Sequence, residues 1–482
     1  MERPTDPTQS RNTALLDGSN LTPGLLTRIG AGATVEIAAD AVRRMAVNQA
    51  AAERVSRQRP VYGRTTGVGA ARGQPGGTGI DLWRSHAAGW GPRYAVPVVR
   101  AALAVRANQL AVGRSGASPR LALALAEAAC GPAGRLPVVH RHGGLGTGDL
   151  TALAEVGLTL AGERPARDGA SIRLLQPTHG DGLALLSSNA FTVAAAALAG
   201  AEARELAGAA SVVAALSWAA LRGNAEPVGP ALEWMTQLAG AVEVAQTVSA
   251  LLPPAAPGAG RPIQDFYGLR AWPQAHGPLL DAVDRLAGLL TTMVNLGSEN
   301  PAFGDERVSH HGGFHTAYLA GAVESVLAAA ARSGALVQSR VSHLLTDRDS
   351  GLPLFLGDRA GASGALIGEY VGASALAVIR ASVVAPQSVV LSGGVEDDAP
   401  LTPLLVERLG EVVQAYRRLL AVELLCAVRA LRLRGGPLDG PLGEVLSACE
   451  LPSGVVDRDL SPDLDRAADL VGQLADWASP AG

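Results

Sequence analysis

From about Ala101 onward, almost every apolar run in this chain repeats at helical spacing, and several runs exceed the usual length of a globular helix. The spacing predicts helices over Val99–Val112, Leu121–Cys130, Gly148–Gly162, Gly182–Leu221, Pro230–Ala250, Pro278–Leu296, Phe314–Leu345, Gly361–Val384 and Leu404–Leu433. Short Pro- and Gly-rich breaks such as Pro253–Pro262 separate them. Helices of this length and apolarity pack as elongated bundles, with faces left over for contacts between subunits. Val35–Gln58 is a further helix candidate, with Ile37, Ala38, Ala41, Met45 and Ala52 on one face. The Gly- and Thr-rich loop that follows, Tyr62–Gly79, is long for a compact domain, and such loops are uncommon unless functional; it reads as a lid over a site. No internal repeat of fixed period is visible. The expected fold is mainly α: a disordered tail (1–20), an N-terminal lid-bearing part (21–105), a central helical bundle (106–435) and a C-terminal helical tail (436–482).

Composition narrows the function. The 482 residues are 48% hydrophobic, enough for a large core, and the formal net charge is −4. No basic patch stands out and aromatic residues make up only 4%, which argues against nucleic-acid binding. Cys130, Cys426 and Cys449 are odd in number and far apart, as in a reducing compartment. The opening MERPTDPTQSRNT lacks the apolar core of a signal peptide. Phe191–Val213 is Ala-rich, and Glu202, Arg204 and Glu205 break the apolar stretch that holds it, so it reads as a buried bundle helix rather than a membrane span. A soluble cytoplasmic protein is expected. The chain contains no lysine, which closes pyridoxal phosphate chemistry and lysine-based aldolase and decarboxylase routes, and rules out a lysine-bearing phosphate loop. His310-His311 with His315, or His140 with His142, are joined by no Cys or carboxylate at recognised spacing, so no metal is expected.

The stretch Gly143–Glu163, GGLGTGDLTALAEVGLTLAGE, organises the rest. A Gly-rich turn gives way at Gly148-Asp149 to Leu150, Leu153, Val156 and Leu160 at helical spacing. Thr147 or Asp149 is placed to cap that helix, which sets the turn on an electropositive helix end where negative charge is stabilised. Taken alone, it is an ordinary Gly-rich turn before a helix. Its sequence, however, resembles the Ala-Ser-Gly-Asp-Leu-Ala-Pro-Leu-Ala segment of the histidine and aromatic amino acid ammonia-lyases. In that family the tripeptide cyclises into a methylidene-imidazolone, the electrophile that makes an amine leave.

The family's tripeptide falls on Gly146, Thr147 and Gly148, so two of its three residues differ here. Cyclisation needs the amide nitrogen of residue 148 to attack the carbonyl carbon of residue 146, which favours small flanking residues. The middle residue must then lose water. Thr147 has the hydroxyl to lose, but its product is an ethylidene whose extra methyl crowds the attacked carbon and lowers its electrophilicity.

Other blocks follow in family order over about residues 30 to 435. VYGRTTGVG from Val61 is similar to Tyr-Gly-x-Asn-Thr-Gly-Phe-Gly, which puts Tyr62 on the family's base and Thr65 on its Asn. A phenol serves as a base at neutral pH only where positive potential favours its phenolate. Arg84-Ser85-His86-Ala87-Ala88-Gly89-Trp90-Gly91 is similar to Ser-His-Ala-x-Gly-x-Gly of the histidine enzymes, whose histidine faces the substrate imidazole. PIQDFYGLRAWPQAHG from Pro262 resembles Gln-Asp-x-Tyr-Ser-Leu-Arg-Cys-x-Pro-Gln, so Arg270 is expected to clamp the substrate carboxylate while Gln264 and Tyr267 line the prosthetic group.

The family's Asn-Gly-Thr becomes Ser187-Ser188-Asn189, with Ser187 on the position of the contacting Asn and Asn189 two residues further along. Gly312-Gly313-Phe314-His315 keeps the Phe and His of Gly-Asn-Phe-His, and Ser298-Glu299-Asn300-Pro301 keeps half of Asn-Asp-Asn-Pro. Ser392-Gly393-Gly394-Val395-Glu396-Asp397 resembles Ser-Ala-Asn-Gln-Glu-Asp, with Glu396 on the imidazole-contacting glutamate and Val395 in place of Gln. The residues that would handle substrate and protons remain, while those that build or touch the prosthetic group have changed.

The resemblance implies a homotetramer whose sites combine residues from neighbouring subunits, and an enzyme that eliminates, adds or moves ammonia on a histidine-like or aromatic α-amino acid. Two other readings stand beside it: a divergent member without the imidazolone, doing acid-base chemistry on another substrate in a biosynthetic pathway, and a non-catalytic oligomer that binds a ligand or regulates.

Overall fold

The computed structural model describes residues 13–230, 232, 234, 237–253, 263–346, 350–436 and 438–478. It is mainly helical, and the long helices fall where apolar periodicity predicts them: Val96–Ala111, Pro119–Cys130, Leu150–Leu160, Ala239–Leu251, Trp272–Met293, Ala317–Thr346, Leu366–Ala381 and Thr402–Arg434. After Gly435 come two shorter helices, Pro441–Ala448 and Ser461–Gln473. The break expected at Pro253–Pro262 lies outside the described residues from 254 onward.

Three expectations need correcting. Of the tail 1–20, residues 1–12 lie outside the described residues, but Thr13–Leu16 is a strand, paired in parallel with Thr34–Ile37. The helix expected from Val35 therefore starts only at Ala39. Thr34–Ile37 alternates exposed and buried side chains, and its hydrogen-bond partner lies some twenty residues away in sequence, beyond any local signal. The single helix expected over Gly182–Leu221 is two, Asp181–Leu186 and Ala190–Leu221, broken at Ser187-Ser188-Asn189. Side chains of these types compete for backbone hydrogen bonds and favour helix ends.

The chain forms two compact units that interleave in sequence. One comprises the chain up to Ala201, Ala287–Gly321 and Pro386–Val406; the other comprises Glu202–Leu286, Ala322–Ala385 and Glu407–Gly482.

In the first unit, the Val96–Ala111 helix is buried along most of its length, and its alanines let the helices Pro119–Cys130 and Pro23–Gly30 pack closely against it. Its polar residues act as internal ties. Asn108 Oδ1 accepts the Gly18 N–H at 2.9 Å, and its Nδ2 donates to the Val294 carbonyl at 2.8 Å. Arg106, with no exposed surface, donates to Glu299 Oε1 at 2.9 Å and to the carbonyls of Ala184 and Leu185. Those are last-turn carbonyls of the Asp181–Leu186 helix, which have no partner within it. A buried guanidinium therefore ends that helix and fixes the start of the Ser187–Asn189 break.

In the second unit, a buried ion pair occupies the core. Arg340 meets Glu423 through two bonds of 2.5 and 2.9 Å, and Ser217 adds a hydroxyl bond of 2.6 Å to the same carboxylate. Arg340 also lies over the Trp272 ring, 4.0 Å from its centroid, and donates to the Gly268 carbonyl at 2.9 Å. Breaking such a pair leaves an uncompensated buried charge, so it holds the short Tyr267–Arg270 turn in place.

Candidate active site

A cavity of about 580 Å³ lies within the first unit, lined by residues that include Tyr62, His86, Thr147, Ser187, Phe314 and Glu396. Six positions picked out from sequence, spread over more than 330 residues, thus share one space.

The floor is the turn Gly146-Thr147-Gly148. Gly146 and Gly148 are buried and Thr147 is half-buried. Both glycines have positive φ, +91° and +125°. A Cβ on Gly146 would lie 2.7 Å from Thr316 Oγ1 and 2.8 Å from Pro400 Cγ, so the family's alanine has no room here. The Gly146 carbonyl accepts two hydrogen bonds, from the Thr316 N–H at 3.0 Å and the Thr316 hydroxyl at 2.7 Å. The Gly148 N–H donates to Asn189 Oδ1 at 3.0 Å, and Asn189 Nδ2 donates to the Phe314 carbonyl. The two backbone groups that must join in cyclisation, the carbonyl of residue 146 and the nitrogen of residue 148, are thus each held by a side chain. The residues present fit a prosthetic group made from this turn.

Asp149 departs from its expected role. It makes no side-chain cap on the Leu150–Leu160 helix. Instead its carboxylate accepts the Thr192 N–H at 2.9 Å and the Thr192 hydroxyl at 2.7 Å, capping the helix that begins at Ala190. Burial pushes its pKa up to about 6, against the bonds from Thr192 and Phe191. Asn189 is also better placed than helical spacing suggests. It sits in the break between two helices, and from there it reaches the Gly148 amide rather than pointing elsewhere. Ser187 lines the cavity, and its Oγ accepts the Asn300 N–H at 2.9 Å.

The loop read as a lid supplies Tyr62, Val68 and Gly69 to the cavity wall. The Gly69 N–H donates to Tyr62 Oη at 2.8 Å and fixes the phenol. The Ala70 N–H donates to Ser392 Oγ at 2.9 Å, which joins the lid to the turn that carries Glu396. Gly69 has φ +57°, and a Cβ there would fall 2.5 Å from Ser392 Oγ, so this junction requires glycine. The Glu396 turn is tight: Leu391 and Glu396 exchange backbone bonds around Ser392, Gly393 and Gly394, all with positive φ.

His86 ends the helix Gly79–His86. Its Nδ1 lies 2.9 Å from the Leu82 carbonyl, which can only accept. Ser85 Oγ lies 3.0 Å from the same nitrogen; a proton on Nδ1 satisfies the carbonyl contact and leaves Nε2 as an acceptor.

Sequence reasoning did not single out Asn300, His315, Ser392, Asp397 and Asp398 as site residues, although they also line the cavity. His315 Nε2 pairs with Asp398 at 3.2 Å. The Ser388 hydroxyl, and next the His315 ring, hold the Asp398 carboxyl below the usual range. The available signal was the retained Phe314-His315 pair and the kept Asn300-Pro301. Of the other histidines, His310 Nε2 accepts the Tyr62 N–H at 3.3 Å, its pKa lowered chiefly by burial, and His140 pairs with Glu155 at 2.9 Å.

Gln264, Tyr267 and Arg270 are not among the cavity-lining residues and belong to the second unit. There they form their own cluster. Arg270 donates to Gln264 Oε1 and stacks over the Tyr267 ring, 4.7 Å from its centroid. Tyr267 is 65% exposed.

Residues 21–449 match the family model for aromatic amino acid lyases. The chain is 32% identical over 492 aligned positions to a histidine ammonia-lyase of Streptomyces griseus, covering 93% of this chain and 95% of that one. The fold is similar to a tyrosine aminomutase from Streptomyces globisporus, with TM-score 0.89 and 26% identity over 96% of this chain and 97% of that one. It is similar also to histidine ammonia-lyase from Trypanosoma cruzi, with TM-score 0.86 and 27% identity over 97% and 96% of the two chains. The chain belongs to the aromatic amino acid lyase family, carbon–nitrogen lyases and their relatives that eliminate or move ammonia on an amino acid.

Proposed function

We propose that this protein eliminates ammonia from, or adds or moves it on, a histidine-like α-amino acid, using an electrophile made from Gly146-Thr147-Gly148. The observation that carries this reading is the convergence of Thr147, Tyr62, His86 and Glu396 on one cavity. Once formed, an imidazolone from this turn supplies the electron sink that lets an amine leave.

The remaining chemistry belongs to the side chains. Tyr62, held through its Oη by the Gly69 N–H, takes the substrate's β proton. His86 Nε2 and the Glu396 carboxylate both accept hydrogen bonds, which matches a ring bearing N–H groups and leaves a phenyl ring without partners for them. Leu150, Leu183, Leu186 and Phe314 give the ring its apolar wall.

No arginine lines the cavity among the described residues, so the substrate carboxylate lacks its fork there. The cluster of exposed Gln264 and Tyr267 with half-buried Arg270 has the required chemistry. We read it as completing the cavity of a neighbouring copy in a cytoplasmic homotetramer, the arrangement that the family resemblance implies.

The deciding experiment is the intact mass of the purified protein with a peptide map over Arg141–Arg164, followed by ammonia release from histidine and from aromatic amino acids. The expected result is a loss of two waters localised to Gly146–Gly148, with histidine among the substrates. An unmodified chain overturns the reading.

A further inference from the structure

The Gly146 carbonyl carries two donors from a single residue. The Thr316 N–H lies at 3.0 Å and its hydroxyl at 2.7 Å, a pair of preorganised bonds aimed at one oxygen. A carbonyl oxygen cannot donate, so the single proton of Thr316 Oγ1 is committed to Gly146. With that assignment Thr402 is the donor in the 2.8 Å contact between Thr316 Oγ1 and Thr402 Oγ1, its hydroxyl lying farther, 3.4 Å, from the Thr316 carbonyl. The result is a directed chain, Thr402 to Thr316 to Gly146, in which each bond polarises the next. Both threonines are buried, 1% and 0% exposed, so water does not compete for these groups. On the other side of the turn, Asn189 Oδ1 accepts the Gly148 N–H, and its amide is oriented by the bond from Nδ2 to the Phe314 carbonyl.

We propose that Thr316, oriented by Thr402, is the oxyanion-stabilising residue for self-processing of the Gly146-Thr147-Gly148 turn. This rests on the imidazolone reading above. The Gly148 nitrogen bonds to the Gly146 carbonyl carbon, and the N–H proton leaves on the side held by Asn189. The Gly146 oxygen gathers the negative charge, between the Thr316 N–H and hydroxyl, and then takes up a proton. The bond from the Gly148 nitrogen closes the five-membered ring, and the new hydroxyl then leaves with the Thr147 amide hydrogen as the first water, giving a carbon–nitrogen double bond between Gly146 and Thr147. Thr147 then loses its Cα hydrogen and its Oγ1 hydroxyl as a second water, leaving a carbon–carbon double bond that keeps the threonine methyl. Two waters leave in all, and no oxidant or reductant is needed. The same crowding that brings Thr316 onto the carbonyl excludes a Cβ at residue 146, so Gly146 and Thr316 act as a matched pair.

The test uses the full chain with Thr316→Val, Thr316→Ser and Thr402→Val, each sampled over time after induction. The readout is the fraction of the Arg141–Arg164 region lighter by two waters, with circular dichroism and size exclusion as fold checks. Thr316→Ser keeps the hydroxyl and processes like the wild type. Thr316→Val keeps the N–H donor alone and slows by about a hundredfold, the scale of losing one oxyanion donor. Thr402→Val, which removes only the orienting bond, falls between them. Processing of folded Thr316→Val at the wild-type rate overturns the assignment while leaving the imidazolone reading intact. If Thr316→Val does not fold, wild-type processing in Thr402→Val overturns it instead. A wild-type chain that never loses water overturns both.

Discussion

The amide N–H of Gly148 donates to Oδ1 of Asn189 at 3.0 Å, so the nitrogen that the proposed cyclisation would use is held by a residue from the break between two helices. That break is kept open from behind by the buried Arg106, which takes the carbonyls of Ala184 and Leu185. The turn at residues 146–148 is thus positioned by a helix end rather than by its own loop.

Restoring the family's alanine by Gly146→Ala should damage this turn. The new Cβ would meet Thr316 Oγ1 at 2.7 Å and Pro400 Cγ at 2.8 Å, on a backbone with φ +91°. Strain of this kind costs about 1–3 kcal/mol. A lowered thermal midpoint together with an unprocessed peptide is expected; a normally processed, equally stable variant would show that the turn has slack.

Tyr62→Phe removes the hydroxyl that accepts the Gly69 N–H and leaves the turn at 146–148 untouched. Turnover should fall by about 10²–10⁴, the contribution of a positioned general base, while the peptide mass stays that of the wild type. Comparing the mass with kcat separates the two roles. Glu396→Gln should instead raise KM for a substrate with a ring N–H more than for a phenyl substrate.

Asp149 gives a pH signature. Its folded pKa of about 6 lies above the ordinary 3.8, so between these values the folded chain holds a proton that the unfolded chain has released. Its contribution to stability is therefore greatest below about pH 4 and declines as pH rises to about 6. Asp149→Asn cannot ionise and lacks this slope. The stability of the wild type relative to the variant should drop by up to about 3 kcal/mol from pH 4 to pH 7. Denaturation midpoints of both proteins across that range check it, and parallel curves would contradict the buried ionisation.

A complementation experiment addresses the second unit. Tyr62→Phe and Arg270→Gln should each be nearly inactive as homo-oligomers. If Arg270 serves the cavity of a neighbouring copy, co-expression of the two variants regenerates some sites carrying both wild-type residues, and activity returns in part. Absence of any recovery, with mixed oligomers verified by mass, would place Tyr62 and Arg270 in the same copy's site.

Much of this protein was readable without coordinates. Apolar residues at helical spacing located the long helices, because burying a stripe on one face is a local requirement. The candidate residues Tyr62, His86, Thr147 and Glu396 were picked out by motif, and short motifs persist where chemistry fixes residue type and neighbours together. What local pattern could not supply were pairings across the chain. Thr34–Ile37 is a strand because Thr13–Leu16 lies beside it, and Asp149 caps a helix more than forty residues away rather than its own.

The sequence by itself determined the helical class, the family and the chemical types at the site. Tertiary structure decided which backbone atoms those side chains hold. Asn189 reaches the Gly148 amide because Arg106 ends the preceding helix, and Thr316 reaches the Gly146 carbonyl because a missing Cβ lets it approach. A hydrogen bond depends on distances of a few tenths of an ångström and on direction. Residue type and spacing carry neither until the chain has packed.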